Sequence, residues 1–331
     1  MREISHENTE RDLAQINILL LQEKRFFMDI LVGSFFAGLL IGMVLALMAL
    51  GLTIIFGVME IVNFAHGEFL MVGMYTGLLT AQATGMDPLL TLPVAGIVGF
   101  LLGVICYAGF VKFLLRGPMV AQLLGTFGLM IFLRNLALLF FGAEDRAIHS
   151  GVLVGKSVEF GMGVIAPATK LSAAGLSVIA FLSVWLLMNR TKIGKALTAT
   201  SLNAQGARYM GIATEKMNAL AWGIGGGTVT MAGALLVNFW SVNPFMGLLF
   251  TMIAFAIVAL GGFGSVSGAF FAGLVVGIIT EIPGIWDFFT YAFDSDWMSN
   301  VPMTSLKYMW VYLAYFLIVV FRPRGLFGWK R

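Results

Sequence analysis

The chain has 331 residues, of which 59% are apolar and only 11% are charged, against about a quarter charged in ordinary soluble domains. This composition argues against a soluble globular protein, and the small net charge of +3 gives no indication of nucleic-acid binding. A bilayer instead requires apolar segments of roughly 20 residues that satisfy their backbone within a helix. The sequence therefore predicts an all-α, polytopic integral membrane protein.

Residues 1–29 precede the first apolar run and form a predicted N-terminal extension to a membrane domain at 30–331. The extension carries six acidic and four basic residues without a small-residue cleavage site, so it does not resemble a signal peptide. Between Arg11 and Asp29, charged residues are mixed with leucine and phenylalanine, which is typical of a helix lying at a membrane interface. A disordered tail that runs into the first span is the alternative.

Apolar runs separated by helix breakers predict about nine membrane segments, and counts of eight to ten fit the same pattern. The predicted segments are 31–57, 61–82, 91–114, 119–141, 171–189, 217–240, 247–261, 265–282 and 304–321.

Lysine and arginine favour the cytoplasmic side of a membrane, and here they cluster at 112–116, 190–216 and 322–331. The loop at 283–303 instead contains three acidic residues and no basic one. The three basic segments are therefore predicted to be cytoplasmic, while 143–170 and 283–303 are predicted to be external. With nine spans, the N-terminus would lie outside.

A polar break lies between the first two apolar runs, where Asn63, His66, Gly67 and Glu68 occur within six residues. Polar groups at membrane depth are costly, so their presence indicates a specific role. One interpretation is a hinge, in which Asn63 caps the next helix and Glu68 interacts favourably with its dipole. The other is direct contact between these side chains and a transported solute. Both stay open at this point.

A second break is formed by four glycines within eight residues, a density that does not suit an uninterrupted helix. These glycines are Gly261, Gly262, Gly264 and Gly268. The two breaks each fall between closely spaced apolar runs, which predicts two related broken-helix hairpins, as in transporters built from internal repeats.

One further charged residue, Arg134, lies inside the fourth apolar run and needs a carboxylate, carbonyl groups or water. Glu281 lies in the same predicted outer half of the membrane. The two residues are therefore a candidate ion pair that would hold helices together.

Motifs for catalysis are missing from the sequence. There is no HExxH sequence, no Cys/His cluster and no nucleophile elbow, and Gly151–Ser157 has one residue too few between its glycines to form a phosphate loop. The sequence therefore predicts a chain that is not an enzyme and that binds no cofactor or metal.

Five stretches, in the same order, closely resemble motifs of LivH-type permeases in the branched-chain amino acid ABC transporter family. The first reads GLTIIFGVMEIVNFAHGEFLMVGMY, and together the five span most of the chain. They are Gly51–Tyr75, Gly194–Ile212, Val242–Gly247, Ala259–Gly273 and Phe321–Gly328. The resemblance extends from about residue 30 to the end, which makes 30–331 a membrane permease domain and leaves the N-terminal extension uncovered.

The resemblance implies an ABC importer permease that works with other subunits. Such permeases pair with a second permease of the LivM type, two cytoplasmic ATPase subunits and an external substrate-binding protein. The basic segment 190–216 matches the cytoplasmic coupling loop that docks on an ATPase, and it is expected to bend near 203–206. Its expected docking residues are Lys195, Leu197, Leu202, Arg208, Tyr209, Met210 and Gly211. Members often carry arginine at the position of Thr198 and an acid near Asn203 or Gln205, so the salt bridges of docking are expected to differ here.

The implied function is translocation of leucine, isoleucine and valine across the bacterial inner (plasma) membrane, with ATP bound by the partner subunits. Urea, short amides and aromatic acids are alternative substrates in related permeases. A different class of protein, an autonomous secondary transporter or channel, would use His66 and Glu68 for coupling and would need no ATPase. The match at Gly194–Ile212 favours the importer.

Overall fold

The computed structural model describes residues 2–148, 151–160, 164–281, 307–322 and 325, and for residues 2–27 and 307 it describes the backbone alone. Its helices are α1 (Arg2–Met59), α2 (His66–Thr84), α3 (Leu92–Cys106), α4 (Lys112–Leu114), α5 (Met119–Phe141), α6 (Ala168–Arg190), α7 (Lys192–Leu202), α8 (Ala204–Tyr209), α9 (Thr214–Leu236), α10 (Met246–Gly261), α11 (Val266–Thr280) and α12 (Lys307–Phe321). A 3₁₀ turn at Pro88–Thr91 leads into α3, and a π turn at Tyr107–Val111 joins α3 to α4.

Membrane-spanning helices dominate the described part of the chain, which confirms the predicted fold class. Five helical stretches are long and apolar enough to cross a bilayer, and the bent pair α10–α11 could form a sixth span. These stretches are Met28–Met59, Pro88–Leu114, Met119–Phe141, Ala168–Arg190 and Thr214–Leu236. Each predicted apolar segment contains a helix, but α2, α10, α11 and α12 are shorter or more polar than an independent span requires.

The N-terminal extension is helical in its backbone, because α1 begins at Arg2 and continues without a break through the predicted boundary at residue 30. The alternative prediction of a disordered tail at residues 1–29 is therefore not supported. The location of residues 1–29 at a membrane interface stays a prediction. The acidic loop predicted at 283–303 lies outside the described residues, as do most of the basic residues of the tail.

One element was not predicted. The loop at 143–170 contains a short antiparallel hairpin of β1 (Ser157–Phe160) and β2 (Val164–Pro167), in which Val158 pairs with Ala166. Its strands are only four residues long, too short for alternation to stand out from a loop.

The core of the bundle forms around α9, which packs against α1, α2 and α3. Trp222 on α9 is fully buried, and its ring meets Phe69 of α2 edge to face at 6.3 Å between centroids. Small residues allow the helices to approach closely. On α1, a Cβ atom at Gly42 would lie 2.8 Å from the Cα of Leu274 on α11, so glycine allows these two helices to pack closely.

Candidate functional site

The first break is a short turn that follows the end of α1 and turns the chain back into the bundle. Glu60 has a positive φ of 56°, which ends the helix. The side-chain oxygen of Asn63 then accepts a hydrogen bond from the backbone N–H of Ala65 at 3.1 Å, and Nε2 of His66 lies 2.9 Å from the carbonyl oxygen of Met48. Asn63 and His66 are both buried. Their contacts support the hinge interpretation, since each side chain is bonded to backbone groups of the protein itself. The predicted cap is wrong, however, because Ala65 is the N-cap residue of α2 and no side chain caps the start of that helix.

Gly67 forms the close contact between the start of α2 and the start of α10. Its N–H donates to the hydroxyl of Thr251 at 2.9 Å, and that hydroxyl in turn lies 2.9 Å from the carbonyl oxygen of Gly247. A Cβ atom at Gly67 would collide with the same carbonyl oxygen. Gly247 and Thr251 are site residues that sequence analysis did not identify, although Gly247 ends the Val242–Gly247 motif and Thr251 follows it by one helical turn.

Glu68 and Arg134 form an ion pair, with 2.9 Å between Oε1 of Glu68 and Nη2 of Arg134. Glu68 is completely buried, while 20% of the Arg134 side chain is exposed. The predicted pairing of Arg134 with Glu281 is therefore wrong. Glu281 instead follows the end of α11 and lines a cavity with Leu31 and Phe35 of α1. Arg134 pairs with Glu68 because α5 packs against α2.

The glycine-rich second break bends the chain by 119° between α10 and α11. Gly262 and Gly264 have positive φ values of 92° and 78°, which glycine adopts without a steric penalty. The hydroxyl of Ser265 caps α11 by accepting from the N–H of Gly268 at 3.1 Å. Gly268 also packs against the backbone of Gly261, so a side chain at either position would push the two helices apart.

The second break lies against the last turn of α1, just before the first break, at one end of the bundle. A Cβ atom at Gly57 would lie 3.2 Å from the Cα of Gly264, and the rings of Phe56 and Phe263 are 4.5 Å apart. A cavity of about 420 Å³ opens beside this contact. It is lined by the end of α1, the end of α6, residues of α7 such as Ser201, and the bend itself.

The predicted coupling segment folds as two short helices, α7 and α8, with the chain bending at Asn203 as expected. The side chain of Asn203 caps α8 by accepting from the N–H of Gly206 at 2.8 Å. At the other end of α8, Gly211 has a positive φ of 82° and donates its N–H to the carbonyl of Arg208 at 2.9 Å.

The expected docking residues of this segment differ in exposure. Leu202, Tyr209 and Met210 are 63%, 80% and 83% exposed, and Lys195 also lies on the surface. Leu197 is instead completely buried, so its assignment as a docking residue is wrong. α7 packs against α1, α6 and α9, and Leu197 lies on the face that it turns to them.

The chain is similar to several known proteins. A family model described as the permease component of the branched-chain amino acid transport system matches residues 34–321. The high-affinity branched-chain amino acid transport system permease protein LivH of Salmonella typhimurium is 28% identical over 306 residues, which cover 88% of this chain and 94% of that protein. LivH of Escherichia coli K12 is 29% identical with the same coverage. A solved structure, PsaBC from Streptococcus pneumoniae in complex with Fab, aligns over 88% of this chain and 92% of that one at 15% identity and a TM-score of 0.46.

Proposed function

The chain belongs to the family of permease components of branched-chain amino acid transport systems, and we propose that it is the translocation subunit of an ATP-driven importer of branched-chain amino acids. The observation that carries the ATP-driven part of this proposal is the exposed apolar tip of the coupling segment. Leu202, Tyr209 and Met210 extend from a basic, predicted cytoplasmic segment into open space. Aromatic and methionine side chains exposed in this way are typical of a protein interface. The proposed occupant is an ATPase subunit.

The coupling segment lies next to the second break, which provides a route for coupling. Thr198, Ser201 and Leu202 of the coupling segment line the same cavity as Phe263 and Ser267 of the bend. Closure of the ATPases would displace α7 and α8 relative to the membrane helices. This movement would narrow the cavity and bring α7 against the bend, which would change the angle between α10 and α11 and so contribute to alternating access.

The proposed assembly contains a second permease of the LivM type, two cytoplasmic ATPase subunits and an external binding protein, in the bacterial inner (plasma) membrane. The relatives, which are named as permease proteins of high-affinity branched-chain amino acid transport systems, support the cargo. The chain itself is proposed to be no enzyme and to take no cofactor, with ATP bound by the partner subunits. Within the described residues there is also no group of three or more His, Cys, Asp or Glu side chains that could hold a metal.

Reconstitution in liposomes tests this function. The complete complex, with ATP inside the liposomes and binding protein outside, should take up radiolabelled leucine, isoleucine and valine, while the permease alone should take up none. Saturable uptake of leucine by the purified chain alone, without ATP, would show that it is a secondary transporter. Uptake of urea or short amides in place of leucine would show that the importer class is right and the cargo wrong.

A further inference from the structure

The ion pair of Arg134 and Glu68 lies where charged groups are costly unless they serve a purpose. Arg134 precedes the end of α5 by seven residues, or about 10 Å of helix rise, and follows its start by about 22 Å. This places its Cα inside a hydrocarbon layer of about 30 Å. The side chain does not escape toward the membrane surface, since its guanidinium group is held by the buried carboxylate of Glu68. Charged groups at such depth normally face a water-filled path or the bundle interior.

Two helices with exposed apolar side chains, α5 and α10, lie beside this pair. Helices α5 and α10 both pack against α2, and the ring of Phe64, in the turn before α2, touches one residue on each of them. These residues are Phe127 at 6.3 Å and Phe255 at 5.5 Å between ring centroids. Two side chains along these helices are exposed: Ile131 on α5, between Phe127 and Arg134, and Leu248 on α10, next to Gly247. We call this surface the α5–α10 groove.

The groove has a polar end and an apolar end. Gly247 lies beside the Glu68 carboxylate, whereas Phe255 lies in the aromatic cluster eight residues further along α10. On α5, Arg134 and Phe127 are seven residues apart. Both helices therefore separate the ion pair from the aromatic cluster by about two turns, or roughly 10–12 Å. The backbone of Gly247 leaves room for the carboxylate, because a Cβ atom there would lie 2.5 Å from Oε2 of Glu68.

Asn135, the residue after Arg134 on α5, indicates that this face contacts more than lipid. Asn135 is exposed in the second half of the apolar helix, six residues before its end, and its amide group donates to the carbonyl of Ile131 at 2.8 Å. An exposed amide in hydrocarbon has unused hydrogen-bonding capacity, which is unfavourable. Together, Asn135 and the exposed part of Arg134 indicate that polar groups or water reach this face.

We propose that the α5–α10 groove is the substrate contact within the membrane, where Arg134 binds the carboxylate of the amino acid and the apolar part of the groove receives its side chain. Glu68 acts as a positioning residue that holds the guanidinium group toward the groove. This inference rests on the proposed function and refines it, because a guanidinium group selects cargo with a carboxylate and so argues against urea and short amides. Arginine suits this role, since its planar fork matches a carboxylate.

Charge balance favours a zwitterion over a simple acid. Arg134 and Glu68 together are neutral, so a zwitterionic amino acid leaves the groove neutral when it binds. A simple aromatic or aliphatic acid would bring an uncompensated negative charge to membrane depth, which costs free energy. The groove therefore favours amino acids with apolar side chains among the carboxylate-bearing candidates.

The test uses a photoactivatable leucine analogue that carries a diazirine in its side chain and keeps both charged groups. The purified membrane complex of both permeases and both ATPases is illuminated with this probe, without the binding protein, and labelled peptides are identified by mass spectrometry. Labelling is expected on the segments that contain Phe64, Phe127 or Phe255. Leucine should suppress it, and leucinamide, which lacks the carboxylate, should not. Labelling outside these segments only, or equal suppression by leucinamide, would overturn the proposal.

Variants separate substrate contact from a purely structural ion pair. Arg134→Gln should reduce labelling per assembled complex, and leucine import by the complete importer, by roughly tenfold or more, as for loss of a hydrogen-bonded charge partner. Arg134→Lys, which keeps the charge without the fork, should retain part of both. Phe132→Leu is the matched control on an exposed face of α5 directed away from Arg134, and it should change neither. Reduced assembly of Arg134→Gln with unchanged labelling per complex would mean that the pair is structural.

Ile131→Trp provides a second approach if Arg134→Gln fails to assemble, because it fills the groove one turn from Arg134 without removing the ion pair. It should abolish labelling and import while the complex still assembles. Undiminished labelling would overturn the groove. If the complete importer without substitutions hydrolyses ATP but imports no leucine, the proposed function itself is wrong. If leucine import is unchanged in both the Arg134→Gln and the Ile131→Trp variants, only the proposal of substrate contact at the α5–α10 groove is wrong.

Discussion

Replacing Gly67 with alanine tests whether α2 and α10 must approach as closely as they do. The added methyl group would collide with the carbonyl oxygen of Gly247 and lie 2.5 Å from the hydroxyl oxygen of Thr251. The carbonyl group belongs to the backbone and cannot rotate away, so the two helices have to separate. Separation also breaks the hydrogen bond from the Gly67 N–H to Thr251, which leaves a buried donor without its partner.

Three effects determine the size of the change in stability. Overpacking costs about 1–3 kcal/mol, and a buried donor left unsatisfied costs about 1–3 kcal/mol. Alanine favours a helix over glycine by at most about 1 kcal/mol, and Gly67 gains less than this because it lies at the start of α2 rather than in its interior. The net expectation is a destabilisation of about 1–5 kcal/mol. Leucine import should fall as well, since Glu68 is the next residue.

Gly128→Ala is the matched control. Gly128 lies in the interior of α5, and no heavy atom is within 4 Å of the place where its Cβ would be. This change should therefore be neutral or stabilising by about 0.5–1 kcal/mol. The measurements are thermal unfolding of the purified complex in detergent and leucine import in liposomes. If Gly67→Ala unfolds at the same temperature as Gly128→Ala and imports leucine normally, the close contact between α2 and α10 is not required.

Four further changes test the coupling segment and the second break. Tyr209→Ala should change the free energy of unfolding by no more than about 0.5 kcal/mol, since the side chain is exposed. It should abolish most of the stimulation of ATP hydrolysis by loaded binding protein, and crosslinking from position 209 to the ATPase, whereas normal stimulation would exclude this docking surface. Leu197→Ala should instead lower the free energy of unfolding by about 2–5 kcal/mol. Asn203→Ala removes the cap of α8 and should raise proteolysis of the coupling segment, at a cost of about 1 kcal/mol; an unchanged rate of cleavage would contradict the cap. Gly268→Leu should push α11 away from Gly261 at a cost of about 1–3 kcal/mol, so a complex that assembles and transports normally would refute close packing at the bend.

The membrane helices could be predicted from the sequence because hydrocarbon imposes a single rule on every segment that crosses it. The rule requires a sufficiently long helix of apolar residues, and such runs can be identified in the sequence without knowing which helices are packed together. The hairpin of β1 and β2 follows no such rule. Its strands have four residues each; β1 is exposed throughout and β2 alternates over four residues only, which is too short to distinguish a strand from a loop.

The predicted partner of Arg134 was wrong for a related reason. The predicted spans place Glu281 in the same half of the membrane as Arg134 and put Glu68 at the opposite, cytoplasmic end of the second span, so the sequence favours Glu281. It does not indicate which helices are neighbours. An acid in the first turn of α2 is also accounted for by its favourable interaction with the helix dipole, so the sequence around Glu68 does not indicate that it is the counter-ion of Arg134.

Leu197 could have been assigned correctly. Gly194, Leu197 and Thr200 are the buried residues of α7, and they recur at every third position. That spacing is typical of a helix with one buried face. The resemblance to a docking loop applies to the segment as a whole and does not separate its buried residues from its exposed ones.

Helix α10 connects the two breaks and the ion pair, which gives the broken hairpins a common mechanical basis. At the start of α10, Gly247 packs against Gly67 and leaves room for Glu68, and Thr251 accepts a hydrogen bond from the Gly67 N–H. The end of α10 leads into the bend, which contacts Gly57 of α1. The helix has 16 residues and is therefore about 24 Å long between these two contacts. A rigid helix cannot change its angle at the bend without also moving its other end. Displacement of α7 against the bend would therefore reach Glu68, and through it Arg134, by way of a single helix.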